Sequence, residues 1–291
     1  MTHVVSFSGG RTSAYLVHLM EQKRRDEGWD VHYVFMDTGA EHPLTYRFVR
    51  EVVKFWDIPL TVLRVKINPQ LGQGNGYEVF SPADIQTHRM PALTPFMDVV
   101  RKYGTPYIGG EFCTDRMKLQ PFKKWCDDTF GKGNYTTWIG IRADEPRRLK
   151  ERVGIRYLAE LSDFDKQDVL DWWKDQPFDL LIPGHLGNCI FCIKKSTQKV
   201  GLATLDEPGA MRVFNHDVIN SKETRDGHRA TPKQVMYRGH LSLEGIAKMH
   251  SDMEYQRLYA DMLAAKRYDT GSCSESCEIF NGEPQYELEF A

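Results

Sequence analysis

Val4-Val5-Ser6-Phe7-Ser8-Gly9-Gly10-Arg11-Thr12-Ser13-Ala14-Tyr15-Leu16 is the stretch that decides the fold of this 291-residue chain. Residues 4–7 are a short apolar run typical of a buried parallel strand, and residues 12–26 carry apolar side chains at helical spacing. The turn between them collects backbone amides, hydroxyls and a helix N-terminus at one point, which favours a bound anion. The glycines let the backbone approach a phosphate closely. An ordinary strand-to-helix turn explains the same residues, so both interpretations stay open on this stretch alone.

Strands and helices alternate along the following residues. We predict further strands and helices at these positions: strands over 31–36, 60–65 and 135–141, and helices over 44–56, 92–103, 114–129 and 166–175. The spacing fits βαβ units and predicts an α/β fold, a doubly wound and mostly parallel sheet with helices on both faces. In such sheets ligands lie beyond the carboxyl ends of the strands, where the 8–13 turn and Asp37 both fall.

The last third of the chain has a different pattern. Residues 242–250 and 253–266 are helical and polar, whereas residues 68–76 are rich in Gly, Gln and Asn and predict a loop. We therefore expect two units, a nucleotide-binding α/β domain with a cysteine cluster over 1–200 and a helical C-terminal extension over 201–291.

Charge and hydropathy limit the partners. The chain has 38 basic and 40 acidic residues, a formal charge of −2, so a nucleic acid would have to be held by local patches. Basic residues outnumber acidic ones by six to three in 142–156 and by five to two in 222–238, and Lys194, Lys195 and Lys199 add a third basic patch beside two cysteines. We expect these patches to be able to hold a polyanionic backbone. No apolar run approaches the roughly 20 residues of a membrane helix, and the first residues lack a secretory signal pattern, so we expect a cytoplasmic protein without a membrane partner.

Six cysteines are present, and two of them, Cys189 and Cys192, form a Cys-x-x-Cys pair after Gly187. In a cytosolic enzyme this spacing favours metal or redox chemistry over structural disulfides. The neighbouring lysines favour the thiolate form. We assign Cys126 to the core of its helix. A structural zinc site and a reducing dithiol remain open as alternatives.

Four segments together resemble a known family. Ser8-Gly9-Gly10-Arg11-Thr12-Ser13 after a buried strand resembles the PP-loop of the ATP pyrophosphatase superfamily, and Asp37-Thr38-Gly39 is similar to a motif of its phosphoadenosine phosphosulfate (PAPS) reductase branch. Gly140-Ile141-Arg142-Ala143-Asp144-Glu145 resembles the third motif of that branch, and Cys113-Thr114-x-x-x-Lys118-x-x-Pro121 resembles its pre-helical cysteine segment. The segments follow the order of the family between residues 4 and 200.

The resemblance implies an ATP site. It assigns nucleotide contacts to Ser6, in the strand before the PP-loop, and to these residues of the first three segments: Ser8, Gly9, Gly10, Arg11, Thr12, Ser13, Asp37 and Gly140. Asp37 would meet the adenosine, and Arg142, Asp144 and Glu145 would be catalytic, since the planar fork of arginine suits phosphate. Mg²⁺ would accompany the ATP, but the superfamily often has Asp where this chain has Thr12, so a loop carboxylate is missing from the metal arrangement.

The resemblance also implies an iron–sulfur cluster, because such clusters are held by thiolates, usually four. Cys113, Cys189 and Cys192 would be ligands of a [4Fe-4S] cluster. The fourth would be Cys277, with Cys273 or a non-protein group as alternatives, and zinc remains the alternative metal. The assimilatory reductases that carry a cluster have two adjacent cysteines where this chain has Cys113-Thr114.

Three functions compete on these features. We favour an ATP pyrophosphatase that adenylates an acceptor and supports sulfur transfer to a nucleic acid, with DNA phosphorothioation preferred, tRNA thiolation possible and a cysteine desulfurase as the type of sulfur donor. The alternative is a PAPS or adenosine phosphosulfate reductase, which needs a nucleophilic cysteine near the C-terminus. A third function, a non-enzymatic nucleotide-sensing module, rests only on Thr12.

Overall fold

The computed structural model describes residues 1–70, 72–85, 93–107, 112–219, 237–238 and 240–264. The strands are β1 (Thr2–Phe7), β2 (Asp30–Met36), β3 (Leu60–Lys66), β4 (Gly76–Phe80), β5 (Tyr135–Ile139) and β6 (Ile155–Tyr157). The α-helices are α1 (Arg11–Glu27), α2 (Pro43–Trp56), α3 (Phe96–Tyr103), α4 (Gln120–Phe130), α5 (Lys166–Lys174), α6 (Thr197–Asp206), α7 (Pro208–Val213), α8 (Leu243–His250) and α9 (Tyr255–Ala264).

The described strands form one sheet in the order β4-β3-β2-β1-β5-β6. β1 lies in the interior and pairs in parallel with β2 and β5, while β4 alone is antiparallel to its neighbour. Phe7 at the end of β1 is in register with Phe35, and Ser6 with Ile139. The segments that follow β1, β2 and β5 therefore leave the sheet at the same edge. The expected doubly wound, mostly parallel α/β fold is confirmed.

Helices cover both faces of the sheet. On one face, α1, α2 and α5 bury an aromatic core with Tyr33, Phe48 and Trp173 almost fully inaccessible. On the other face, α4 packs Phe122 and Cys126 against the strands. Cys126 is completely buried, which raises the pKa of its thiol far above the ordinary value, so its assignment to the helix core is confirmed.

The sequence did not indicate the two outer strands. β4 follows directly on the predicted loop, and its side chains are half-buried or exposed, so the alternation that marks a half-buried strand is weak there. β6 has three residues. The helix predicted over 114–129 begins instead as a π-helical turn, Asp115–Leu119, and α4 continues from it with Pro121 in its first turn.

The C-terminal helices gather around α6, which packs on α8 and α9. Gly201 in α6 allows close contact, because a Cβ there would lie 2.5 Å from the ring of His250. The expected boundary at residue 200 falls within α6, and the division into two units stays a prediction. None of the helices in the described ranges is long and apolar enough to cross a membrane.

Candidate functional site

The phosphate-loop turn, residues 8–13, is ordered by its own hydroxyls. The Ser8 amide donates to Ser13 Oγ at 3.2 Å, the two serine hydroxyls lie 2.9 Å apart, and Ser13 Oγ donates to the Gly10 carbonyl at 3.0 Å. Helix α1 begins at Arg11 with Gly10 as its N-cap, so no side chain caps the first amides from that position. Amides at a helix N-terminus attract anions. Ser6, by contrast, lies within β1 and is buried.

Two glycines let neighbouring elements close around this turn. Gly9 has a φ of +79°, and a Cβ there would lie 2.8 Å from the Thr45 side chain. A Cβ on Gly140 would lie 2.9 Å from the Ser13 Cα, so the end of β5 presses directly on the start of α1. Because of this close approach, the segment after β5 reaches the turn.

The close approach of β5 to α1 places the side chain of Arg142 at the turn. Its buried guanidinium donates from Nη1 to Thr12 Oγ1 at 3.2 Å and from Nε to Asp144 Oδ1 at 2.8 Å. Glu145 Oε2 accepts from the Arg142 amide at 3.2 Å and lies 3.6 Å from Nη1, and Arg148 pairs with the other oxygen of Glu145. The three predicted catalytic residues therefore lie together at the turn. A guanidinium contacts Thr12 where the superfamily often has a carboxylate.

Arg11 lies in the turn but its side chain has another role. It forms a bidentate pair with Asp179 at 2.7 and 2.8 Å and donates to the Leu180 carbonyl at 2.5 Å. Trp173 Nε1 donates to the Arg11 carbonyl at 3.1 Å. These bonds anchor the turn to the segment after α5, so the backbone amide of Arg11 is the part that an anion would contact.

Asp37 lies at the end of β2, as expected, and both of its carboxylate oxygens have protein partners. Oδ1 accepts from the Gly39 amide and the Tyr46 hydroxyl, each at 2.9 Å, and Oδ2 accepts from Arg64 at 2.7 Å. Burial and the nearby Asp37 charge hold the pKa of Tyr46 well above its ordinary value. Arg64 was not predicted as a site residue; it lies between apolar residues of β3, and its guanidinium stacks on Phe80 at 4.4 Å. A nucleotide contact by Asp37 stays a prediction.

The cysteine turn, residues 187–195, packs against the segment that follows Asp37. The Ile190 amide donates to the Ala40 carbonyl at 3.1 Å, and Cys189 pairs with Glu41 as an antiparallel bridge. Cys189 Sγ lies 3.7 Å from Glu41 Oε1 and 3.9 Å from Thr38 Oγ1. The Cys-x-x-Cys pair therefore adjoins the loop that begins with a predicted nucleotide residue.

Buried Lys195 stabilises the cysteine turn through hydrogen bonds to backbone carbonyl groups. Lys195 donates to the carbonyls of His185 and Ile190 at 2.7 and 2.8 Å, and burial lowers its pKa to about 8 against the opposing effect of Cys192, Cys189 and Glu41. Because Lys195 and Lys199 are both buried, the expectation that they add to a basic surface was wrong.

Cys113 belongs to the same neighbourhood. The Tyr237 hydroxyl donates to the Phe191 carbonyl, and its pKa is raised by burial and then by the charges of Cys192, Cys189 and Cys113. Three of the four predicted metal ligands thus lie near enough to Tyr237 to act on its pKa, while Cys277 lies outside the described residues. Within the described ranges, no set of three or more His, Cys, Asp or Glu side chains is arranged to hold a metal ion.

A family model for the phosphoadenosine phosphosulfate reductase domain matches residues 2–167. The chain belongs to this PAPS reductase domain family. The matched part contains the phosphate-loop turn, Asp37 and Arg142, and it ends before the cysteine turn.

Two relatives add to the family match. The chain is 74% identical over 288 residues to "Uncharacterized nin region protein ORF290" of Escherichia phage lambda, covering 99% of this chain and 98% of the relative. It is 26% identical over 152 residues to "Uncharacterized protein MJ0066" of Methanocaldococcus jannaschii, covering 52% of this chain and 25% of that protein.

Proposed function

We propose that this PAPS reductase family member is an ATP pyrophosphatase that adenylates an acceptor and supports sulfur transfer to a nucleic acid. The observation that carries the proposal is the contact between Arg142 and Thr12, which joins a buried guanidinium to the amide-lined turn at the carboxyl edge of the sheet. Amides and a planar guanidinium are complementary to a polyphosphate. The acceptor and the sulfur donor are inferred from the family resemblance and from surface charge.

The adenylation step follows from this geometry. The amides of the 8–13 turn hold the phosphates while an acceptor oxygen attacks the α-phosphorus and the bond to the β-phosphate breaks. Pyrophosphate leaves with an added negative charge, which Arg142 stabilises because its buried charge is little screened by water. The non-bridging oxygen of a DNA phosphodiester attacks as an anion and has no proton to lose. With a tRNA base as the acceptor, Asp144, which is more exposed than Glu145, can take the proton, while Glu145 holds Arg142 and Arg148 in place.

The second step exchanges sulfur for the activated oxygen. A sulfur nucleophile attacks the adenylated centre, and AMP leaves with the oxygen. A persulfide-bearing partner, such as a cysteine desulfurase, would provide the sulfur through its terminal sulfur atom. A second thiol would then cleave the S–S bond to the partner, which leaves the sulfur on the acceptor and a disulfide as the by-product. Exposed basic side chains follow Arg142, namely Arg147, Lys150 and Arg156, and they support a nucleic-acid acceptor. We favour DNA phosphorothioation, with tRNA thiolation as the other nucleic-acid reaction.

Metal groups belong to this proposal as well. Mg²⁺ would be held by the ATP phosphates, since Thr12 offers the turn no carboxylate. Cys113, Cys189 and Cys192, with Cys277 as the fourth ligand, would hold a [4Fe-4S] cluster; zinc is the alternative. The donor chemistry fits, because the positive charges of buried Lys118 and Lys195 can stabilise the negative charge of a cluster held by thiolates. When bound, such a cluster would supply a redox-active centre.

One preparation tests the proposal. The full-length chain is purified anaerobically, its visible spectrum and its iron and zinc contents are recorded, and it is incubated with Mg²⁺-ATP and DNA or tRNA. We expect nucleic-acid-dependent release of pyrophosphate and a visible iron–sulfur absorption. Zinc in a colourless protein would exclude the cluster, and ATP binding without pyrophosphate release would favour the sensing module.

The family match favours one other reaction, the reduction of PAPS or adenosine phosphosulfate. This reaction would use the same nucleotide edge, with sulfite as the product. Incubation with PAPS and reduced thioredoxin separates the two functions. If sulfite forms without ATP, the protein is a reductase, and the assignment as an ATP pyrophosphatase is refuted.

A further inference from the structure

One continuous segment, residues 37–42, touches both halves of the site. It begins at Asp37, where the nucleotide is expected, and it runs past the cysteine turn to His42, the N-cap of α2. His42 Nδ1 accepts from the Leu44 amide at 3.1 Å, and its Nε2 lies 3.2 Å from Glu207 at the α6–α7 junction. Both ends of the segment are therefore fixed.

Glu41 is a charged residue of this segment that lies next to His42. Its side chain is buried, and one oxygen, Oε1, lies near three groups: Thr38 Oγ1 at 3.4 Å, Lys118 Nζ at 3.5 Å and Cys189 Sγ at 3.7 Å. The thiol of Cys189 can donate to this oxygen. Lys118 comes from the π-helical turn before α4. Glu41 thus joins the thiol to a separate element of the fold.

The segment is tightly packed at Gly39. A Cβ on Gly39 would lie 2.1 Å from the Thr94 carbonyl oxygen, so the backbone there is packed against backbone. Asp37 accepts from the Gly39 amide, Thr38 Oγ1 accepts from the Ala40 amide, and the Ala40 carbonyl accepts from Ile190. Hydrogen bonds and packed backbone therefore form a continuous link from Asp37 to the cysteine turn.

A buried carboxylate–lysine pair is poor evidence for a purely stabilising role. Removing two charges from water has a large desolvation cost, and apolar residues of similar size often stabilise a core as well or better. Here the charged pair lies against a half-buried thiol, between the predicted nucleotide residue and the Cys-x-x-Cys pair.

We propose that Glu41 is a positioning residue that, in the metal-free chain, couples nucleotide binding at the Asp37 edge to the reactivity of the Cys189 thiol. A nucleotide that engages Asp37 shares its carboxylate with Tyr46 and Arg64, and the resulting shift of the 37–42 segment moves Glu41 against Cys189. The inference rests on the proposed nucleotide site. It adds to that site the control of Cys189 reactivity by ATP binding.

The test measures site-specific alkylation of the full-length chain, kept reduced and free of metal by a chelator. Iodoacetamide labelling of Cys189 is followed by peptide mass spectrometry with and without saturating ATP, and buried Cys126 reports unfolding in the same sample. ATP affinity is measured in parallel by calorimetry. The variants are Glu41→Gln, which keeps the shape of the side chain, and Glu51→Gln on α2, a matched control whose carboxylate pairs with surface Arg47.

We expect ATP to change the labelling rate of Cys189 by about fivefold or more in the wild type and in Glu51→Gln, which is the lower range of typical allosteric coupling. In Glu41→Gln the change should fall below about twofold, while ATP still binds and Cys126 stays protected. If ATP binds and the Cys189 rate stays constant, or changes equally in Glu41→Gln, the coupling is refuted and the nucleotide site stands. If ATP fails to bind the wild type, the proposed function fails and the coupling fails with it.

Discussion

The proposed nucleotide edge, which consists of the 8–13 turn, Asp37 and Arg142, lies beside the cysteine turn, and the two regions are built in different ways. The turn at residues 8–13, Asp37 and Arg142 each follow a strand, so the hydrogen-bond register of the sheet sets their spacing. The cysteine turn follows no strand, and side chains such as Lys195 and Tyr237 hold its carbonyl groups. A site built on a sheet keeps its shape, whereas a site held by side chains changes when one partner moves. The sheet-built edge is therefore suited to binding phosphate, and the cysteine turn is suited to a change of conformation when a ligand binds nearby.

The largest expected effect is on the nucleotide edge. Arg142→Lys keeps the charge and removes the fork that contacts both Thr12 and Asp144. Loss of one preorganised donor typically costs about 10²-fold to 10³-fold in kcat, so pyrophosphate release should fall by that order with iron content unchanged. Steady-state pyrophosphate assays measure this. Wild-type turnover in the variant would show that the guanidinium is not part of the reaction.

The next effect is confined to the cysteine turn. Lys195→Met leaves the buried carbonyls of His185 and Ile190 without their ammonium partner, at a cost of about 1–3 kcal/mol each in the free energy of unfolding. Thermal unfolding should show this loss, and Cys192 should alkylate faster. ATP affinity should change less than in Arg142→Lys, because Lys195 binds the carbonyls of His185 and Ile190, which lie outside the 8–13 turn. Lys174→Met on the surface of α5 is the control, and an equal loss in both variants contradicts the account.

A smaller effect tests the contact that brings the two strand ends together. Gly140→Ala places a Cβ 2.9 Å from the Ser13 backbone, and overpacking of this kind costs about 1–3 kcal/mol. We expect weaker ATP binding and a lower Tm. Gly184→Ala is the control, since a Cβ there meets nothing within 4 Å. If both variants bind ATP equally well, the close approach of β5 to α1 is not needed for the site.

The smallest effect on either region concerns a charged cluster elsewhere on α1. Although burial alone raises the pKa of Glu21, hydrogen bonds from Arg24, Tyr33 and Arg25 lower it from 4.5 to about 2. A carboxyl group with a lowered folded-state pKa stabilises the fold above pH 4.5, and that contribution is lost as the pH falls from 4.5 towards 2. Unfolding measured between pH 5 and 3 should therefore depend less on pH in Glu21→Gln than in the wild type. ATP affinity at pH 7 should be equal in the two proteins.

The sequence predicted the sheet-built region better than the cysteine turn, for a physical reason. The elements from β1 to β3 were located to within two residues, because apolar periodicity and glycines at the ends of elements act locally. Contacts between distant residues carry no such signal. Arg11 pairs with Asp179, 168 positions away, and Glu41 meets Cys189, 148 positions away. Lys195 was expected on a basic surface and is buried, since its partners are carbonyls that no pattern of side chains reveals.

The central claim is that an adenine nucleotide binds where Arg142 meets the 8–13 turn. Calorimetric titration of ATP into the wild type, Arg142→Gln and Arg147→Gln tests it most directly, since Arg147 is the exposed neighbour of the same charged segment. We predict that Arg142→Gln weakens binding about tenfold or more, as expected for loss of hydrogen bonds to a charged group, and that Arg147→Gln stays within about twofold of the wild type. Equal affinity in all three proteins, or no binding to the wild type, would contradict the account.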